Sequence, residues 1–107
     1  MRLTADFWVA AYIARLRQAD IPAFVVAHGD DTSGMVVIKL NTLDGRARVF
    51  HRMHDLMADE TRWQEMQAGP EGEIDATLAR QRAMDPDLWV IEVEDRAGRH
   101  LLDSGGL

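Results

Sequence analysis

Cysteine is absent from the 107 residues, which excludes disulfides and thiolate zinc sites. Long apolar runs are absent too, since no stretch approaches the roughly 18–20 residues of a membrane helix. The apolar run Phe7 to Ile13 is short, abuts Asp6 and is followed by Arg15 and Arg17 where a signal-peptide cleavage site would carry small residues. A cytoplasmic protein with no membrane partner is therefore expected. Positive charge is scarce: 12 Lys and Arg stand against 18 Asp and Glu, a net charge of −6. Nucleic-acid binders carry a basic footprint, so no nucleic-acid partner is expected. The deficit is uneven, with seven Lys/Arg against six Asp/Glu up to Met57 and five against twelve from Ala58 onward. There is no G-x-G-x-x-G, no Walker loop and no nucleophile elbow around Ser33 or Ser104. Nothing in the chain calls for a cofactor.

What is present is ordinary for a globular domain, 47% hydrophobic and 28% charged, without repeats or linkers. One domain over residues 1–107 is expected, with a flexible tail at 103–107. The strongest local signal is DPDLWVIEVEDRAGRHLLD, Asp85 to Asp103. Trp89, Ile91 and Val93 alternate with Val90, Glu92 and Glu94, the period of a strand with one buried face. Asp95-Arg96-Ala97-Gly98 then reads as a hairpin turn, with Arg99 to Asp103 returning as a partner strand.

From the N-terminus, Thr4 is a candidate N-cap for a helix over Ala5 to Asp20. Trp8, Val9, Tyr12, Ile13 and Leu16 fall on its core face. Ile21-Pro22 ends it, and Ala23 to Ala27 reads as a central or half-buried strand. The turn cluster Gly29 to Gly34 predicts a hairpin into Met35 to Leu40, where Val36, Ile38 and Leu40 share one side and Lys39 lies on the other. Asp44-Gly45 predicts the next turn. In Arg46 to Met53, Ala47, Val49, His51 and Met53 form one face and Arg46, Arg48, Phe50 and Arg52 the other. Asp59 to Met66 reads as a short helix and Glu73 to Met84 as a longer one, with a stripe through Ile74, Leu78 and Met84 and a small-residue face of Ala76, Ala79 and Ala83. The expected architecture is α+β, in the order α-β-β-β-(α)-α-β-β. It has a mainly antiparallel sheet of about five strands, with two to three helices packed on one face.

LTADFWVAAYIARL, VVIKLNTLDGRARVF and above all DPDLWVIEVEDRAGRHLLD resemble a family of small single-domain bacterial proteins, the domain of unknown function numbered fourteen ninety-one. The resemblance spans nearly the whole chain. It implies a compact cytoplasmic domain and brings no reaction, ligand or catalytic residue.

Four constellations carry possible chemistry. His51 and His54 form an H-x-x-H pair, but at the end of a strand residues three apart point to opposite faces, and no metal is expected. Asp31-Thr32-Ser33-Gly34 distantly resembles the aspartic-protease loop, with its spacing broken; a turn whose side chains bond their own backbone is expected. Glu92 and Glu94 share a strand face, read as solvated. Lys39, Arg46, Arg48 and Arg52 are the candidate anion-binding group, set against the simpler expectation that they pair across strands with Glu92 and Glu94. The sequence thus reads as a small non-enzymatic binding or interaction module with a protein partner or as a homodimer. Phe50 and the alanine face are its expected contact surfaces. The alternative is a small enzyme or anion-binding domain acting on a phosphate- or carboxylate-bearing ligand through Lys39, Arg46, Arg48 and Arg52.

Overall fold

The apolar stripe of the first helix sets one half of the core. In the computed structural model, which describes residues 3–103, α1 spans Ala5–Gln18 and buries Ala5, Trp8, Val9, Tyr12 and Leu16. Thr4 occupies the N-cap position, yet its hydroxyl donates to Asp6 Oδ1 (2.7 Å) and caps nothing. The N–H groups of Ala5 and Asp6, which lack partners within the helix, donate instead to the carbonyls of Thr32 (3.1 Å) and Asp31 (2.9 Å).

That capping loop explains the Asp-Thr-Ser-Gly stretch as structure. Asp30 Oδ2 accepts from the Thr32 N–H (3.1 Å), the Ser33 N–H (2.8 Å) and the Ser33 hydroxyl (3.2 Å). The backbone bonds of Ser33 and Thr32 hold the Asp30 carboxyl below its ordinary pKa. Asp30 is also tied to the start of the last strand, its N–H donating to Asp87 O (3.0 Å) and its carbonyl accepting the Trp89 indole N–H (2.8 Å). The backbones approach so closely here that a Cβ on Gly29 or Gly34 would lie 2.2 or 2.4 Å from Asp87 O. Gly29→Ala and Gly34→Ala are each expected to lower stability by about 1–3 kcal/mol, as overpacking against backbone does; urea midpoints check this.

After α1 come β1 (Ala23–Ala27), β2 (Val36–Asn41), β3 (Arg46–Asp55), β4 (Glu60–Pro70), α2 (Glu71–Met84) and β5 (Trp89–Glu94). The five strands form one sheet in the order β1-β5-β2-β3-β4. It is mixed, because β5 runs parallel to β2 while the other neighbouring pairs are antiparallel. Four expectations are corrected by this topology. Within the stretch 59–66, Asp59 lies in a turn and Glu60 to Met66 belong to β4, leaving two helices among the described residues. The partners of β5 are β1 and β2, and 99–103 adds no strand, although Gly98 does close a turn on Asp95 O (3.0 Å). β1 and β2 do not form a hairpin, because β5 lies between them. β1 is an edge strand, not a central one. The expected tail beyond Asp103 lies outside the described residues.

The helices take opposite faces of the sheet, not one. On the α1 face Val36, Ile38, Leu40, Trp89, Ile91 and Val93 pack with Trp8, Tyr12 and Leu16. On the other, Val37, Ala47, Val49 and Val90 pack with Ile74 and Leu78 of α2. α2 carries the chain from β4 across this face to β5, with β2 and β3 between them in the sheet, and a helix on each face is why β2 is buried along its whole length. Tyr12 is fully buried and donates to His100 O (2.7 Å), which pins the C-terminal segment over α1. Burial pushes its pKa far above the ordinary value, against a weaker opposite pull from Arg15. A raised pKa in the folded state contributes stability that is complete below about pH 10 and is lost as pH rises beyond it. Tyr12 is the only tyrosine, so tyrosinate absorbance is expected to appear together with loss of helical ellipticity above about pH 10. Ionisation ahead of unfolding would contradict its burial.

Candidate functional site

The four basic residues singled out by the sequence lie on two faces of the sheet. Lys39, only 4% exposed, points toward α2. Its ammonium donates to Glu71 Oε2 (2.7 Å) and Asp75 Oδ1 (2.7 Å) and lies 3.2 Å from Glu92 Oε1. Burial opposes that charge, but the bonds to Asp75, Glu71 and Glu92 outweigh it and hold the Lys39 pKa above its ordinary value. Asn41 completes the cluster, donating to Glu71 Oε2 (3.1 Å) and Glu92 Oε2 (3.3 Å). Arg48 and Arg52 lie on the α1 side. Arg48 pairs with Glu65 and sits over the Phe50 ring at 5.0 Å. Arg52 sits over Trp8 at 5.0 Å and Trp63 at 5.2 Å, and burial lowers its pKa. Arg46 is exposed where β3 begins. The expected pairing with Glu92 therefore holds for Lys39, whereas Arg48 uses a carboxylate on β4. His51 pairs across β3–β4 with Gln64, and His54 lies against Thr61 Oγ1 and Asp59 Oδ1, each at 3.3 Å. Phe50 is buried against His100 and presents no contact surface.

The sequence reads β1 as a central or half-buried strand, and the sheet order places it at an edge. Among the described residues β1 pairs with β5 alone, so its outer edge carries backbone groups with no strand beside them. Its sequence, AFVVA, has no charge, and Phe24, Val25 and Val26 are 51%, 45% and 58% exposed. The opposite edge, β4, is defended: it carries Glu60, Arg62 and Glu65, bulges beside Val49 and ends in Pro70. β1 has only one irregularity, at Val26, between the pairs Val25–Ile91 and Ala27–Val90.

Alongside β1, on the α2 face, runs an open groove of about 440 Å³. Val26, Ala27, Leu78, Ala79 and Val90 form its apolar floor and walls. Glu71, Asp75, Leu78, Ala79 and Arg82 are spaced to share one face of α2, so the groove is acidic toward the helix start and basic toward its end. Arg82 is tied to the carbonyls of Pro86 and His28 (3.3 Å to the latter). A second exposed apolar group, Leu56 and Met57, caps the β3–β4 turn and leads into the charged edge strand β4. Among the described residues no helix is long and apolar enough to cross a membrane.

Fold and edge together define a small α+β domain, a mixed sheet between two helices with one unguarded edge strand. The chain belongs to the DUF1491 family, proteins of unknown function, whose model matches residues 3–103. It is similar to a DUF1491 family protein from Caulobacter crescentus solved by crystallography, at 38% identity over 96% of this chain and 95% of that one, with a TM-score of 0.81. The NMR structure of a DUF1491 family protein from the same organism gives 37% identity over 96% and 94%, also with a TM-score of 0.81. The solution structure of Atu0922 from A. tumefaciens is 32% identical over 88% of this chain and 86% of that one, with a TM-score of 0.74. No curated protein matches the chain.

Proposed function

We propose that the protein is an interaction module that takes up an extended segment of another protein as a sixth strand on β1. The observation that carries this is the uncharged, half-exposed edge of β1 set beside an apolar groove, in a sheet whose other edge is charged and bulged. Strand addition draws affinity from main-chain hydrogen bonds and selectivity from alternate side chains that enter pockets on one face. The occupant is a partner segment and not a second copy, because a second copy would bring the same net charge of −6, and like net charges keep copies apart.

The test uses a neutral peptide of about seven residues alternating valine and threonine, one strand in length. Two versions carry N-methyl groups on one or the other set of alternate amides. A strand pairs through one edge only, so one methylation pattern is expected to abolish binding in an NMR titration and the other to leave it intact. Equal binding by both would mean side-chain contact without strand pairing and would refute the proposal.

A further inference from the structure

Resting on that reading, the register of the sheet says what the incoming segment carries. Phe24 pairs with Glu92 across β1–β5, and Glu92 pairs with Lys39 across β5–β2. The three side chains thus form one transverse row on the α2 face, and a residue added opposite Phe24 extends that row. We infer that the partner presents lysine or arginine at this position, near the C-terminal end of a segment running antiparallel to β1.

Three observations converge on it. The row ends in excess negative charge, since one ammonium, Lys39, serves Glu71, Asp75 and Glu92 together. Two of those carboxylates still face water, the Glu71 side chain being 35% and that of Asp75 56% exposed. The third observation is Phe24 itself, whose half-exposed ring offers a π-face to a cation stretched across it toward the carboxylates. Strands are spaced by about 4.8 Å, so a position two strands from Glu92 lies within the combined reach of a long basic side chain and a glutamate. Glu94, one row along, reports the same field: burial first, then the charges of Glu92 and Glu71, raise its pKa.

The groove also fixes direction. β1 carries the Glu92 row at its second residue, Phe24, and ends beside Arg82, whose guanidinium bonds His28 O at 3.3 Å. A basic residue at the far end of the segment would meet that cation. In antiparallel pairing, the C-terminal end of the segment lies beside the beginning of β1.

The experiment compares the neutral valine–threonine peptide, both ends blocked, with two versions carrying one lysine, near the C-terminal or near the N-terminal end. The C-terminal lysine is expected to tighten binding roughly threefold or more over the neutral peptide, and the N-terminal lysine to give no gain. The gain should vanish in a Glu71→Gln, Asp75→Asn protein, in which both side chains keep an oxygen for Lys39, while the neutral peptide still binds. Equal binding of all three peptides, or preference for the N-terminal lysine, would overturn the inference and leave strand uptake standing. Failure of every peptide to bind would overturn both.

Discussion

Trp89→Ala is expected to lower the unfolding free energy by about 3–5 kcal/mol, the range for large aromatic truncations in cores. Trp89 is 2% exposed at the start of β5, among Val36, Ile91 and the α1 residues. It does more than fill volume. Its indole N–H donates to Asp30 O (2.8 Å), its backbone N–H donates to Met35 O (2.8 Å), and the His28 ring packs on it at 4.0 Å. The alanine variant therefore loosens the loop that caps α1 as well as opening a cavity. Typical stabilities are about 5–15 kcal/mol, so the variant should be marginal at ambient temperature. Trp89→Phe, which keeps an aromatic ring but loses the donor, should cost distinctly less. Denaturant unfolding followed by ellipticity measures both. A loss below about 1 kcal/mol for the alanine variant would remove β5 from the centre of the core.

Lys39→Met is expected to cost about 3 kcal/mol, the lower end of what breaking a buried ion pair costs. The lower end applies because Asp75 is more than half exposed and water screens it, whereas the Glu92 side chain is only 17% exposed. The loss comes from the carboxylates left facing one another under α2, not from the methionine. Lys39→Met with Glu92→Gln should accordingly recover part of it, a coupling that a double-mutant cycle reads directly. The raised Lys39 pKa has the same sign of pH dependence as Tyr12: its contribution is complete below about pH 10.4 and is lost as pH climbs through the folded-state value. A neutral or stabilising Lys39→Met would show that the cluster does not hold α2 to the sheet.

Much of the architecture could be read from local chemistry. The stripe of α1, the Asp44-Gly45 turn between β2 and β3 and the alternation of Trp89, Ile91 and Val93 are each set by neighbours in sequence. Gly45 indeed has φ +85°, and Leu43 in the same turn has φ 61°. What local chemistry does not specify is strand pairing. The parallel insertion of β5 between β1 and β2 depends on the α2 crossover and leaves no local mark. β4 reads as helix because Glu60, Arg62, Gln64, Glu65, Met66 and Gln67 are good helix formers and a largely exposed edge strand needs little apolar alternation.

The same blind spot hid the candidate site. An apolar run such as AFVVA is the usual signature of a buried strand, so its exposure appears only once the sheet order is known. Alternation alone puts Lys39 on the side opposite Ile38 and Leu40, but nothing local shows that α2 covers that side. The missed signal was the spacing of Glu71 and Asp75, one helical turn apart with Leu78 and Ala79 following on the same face.

Strand uptake on β1 is tested most directly by residue-resolved amide hydrogen exchange, with and without a saturating amount of the neutral peptide. Slower exchange is expected within Ala23–Ala27, where outward N–H groups gain partners, and unchanged exchange in the outer edge of β4 and around Leu56 and Met57. Protection that appears at the β3–β4 turn or along β4, with β1 unchanged, would contradict it.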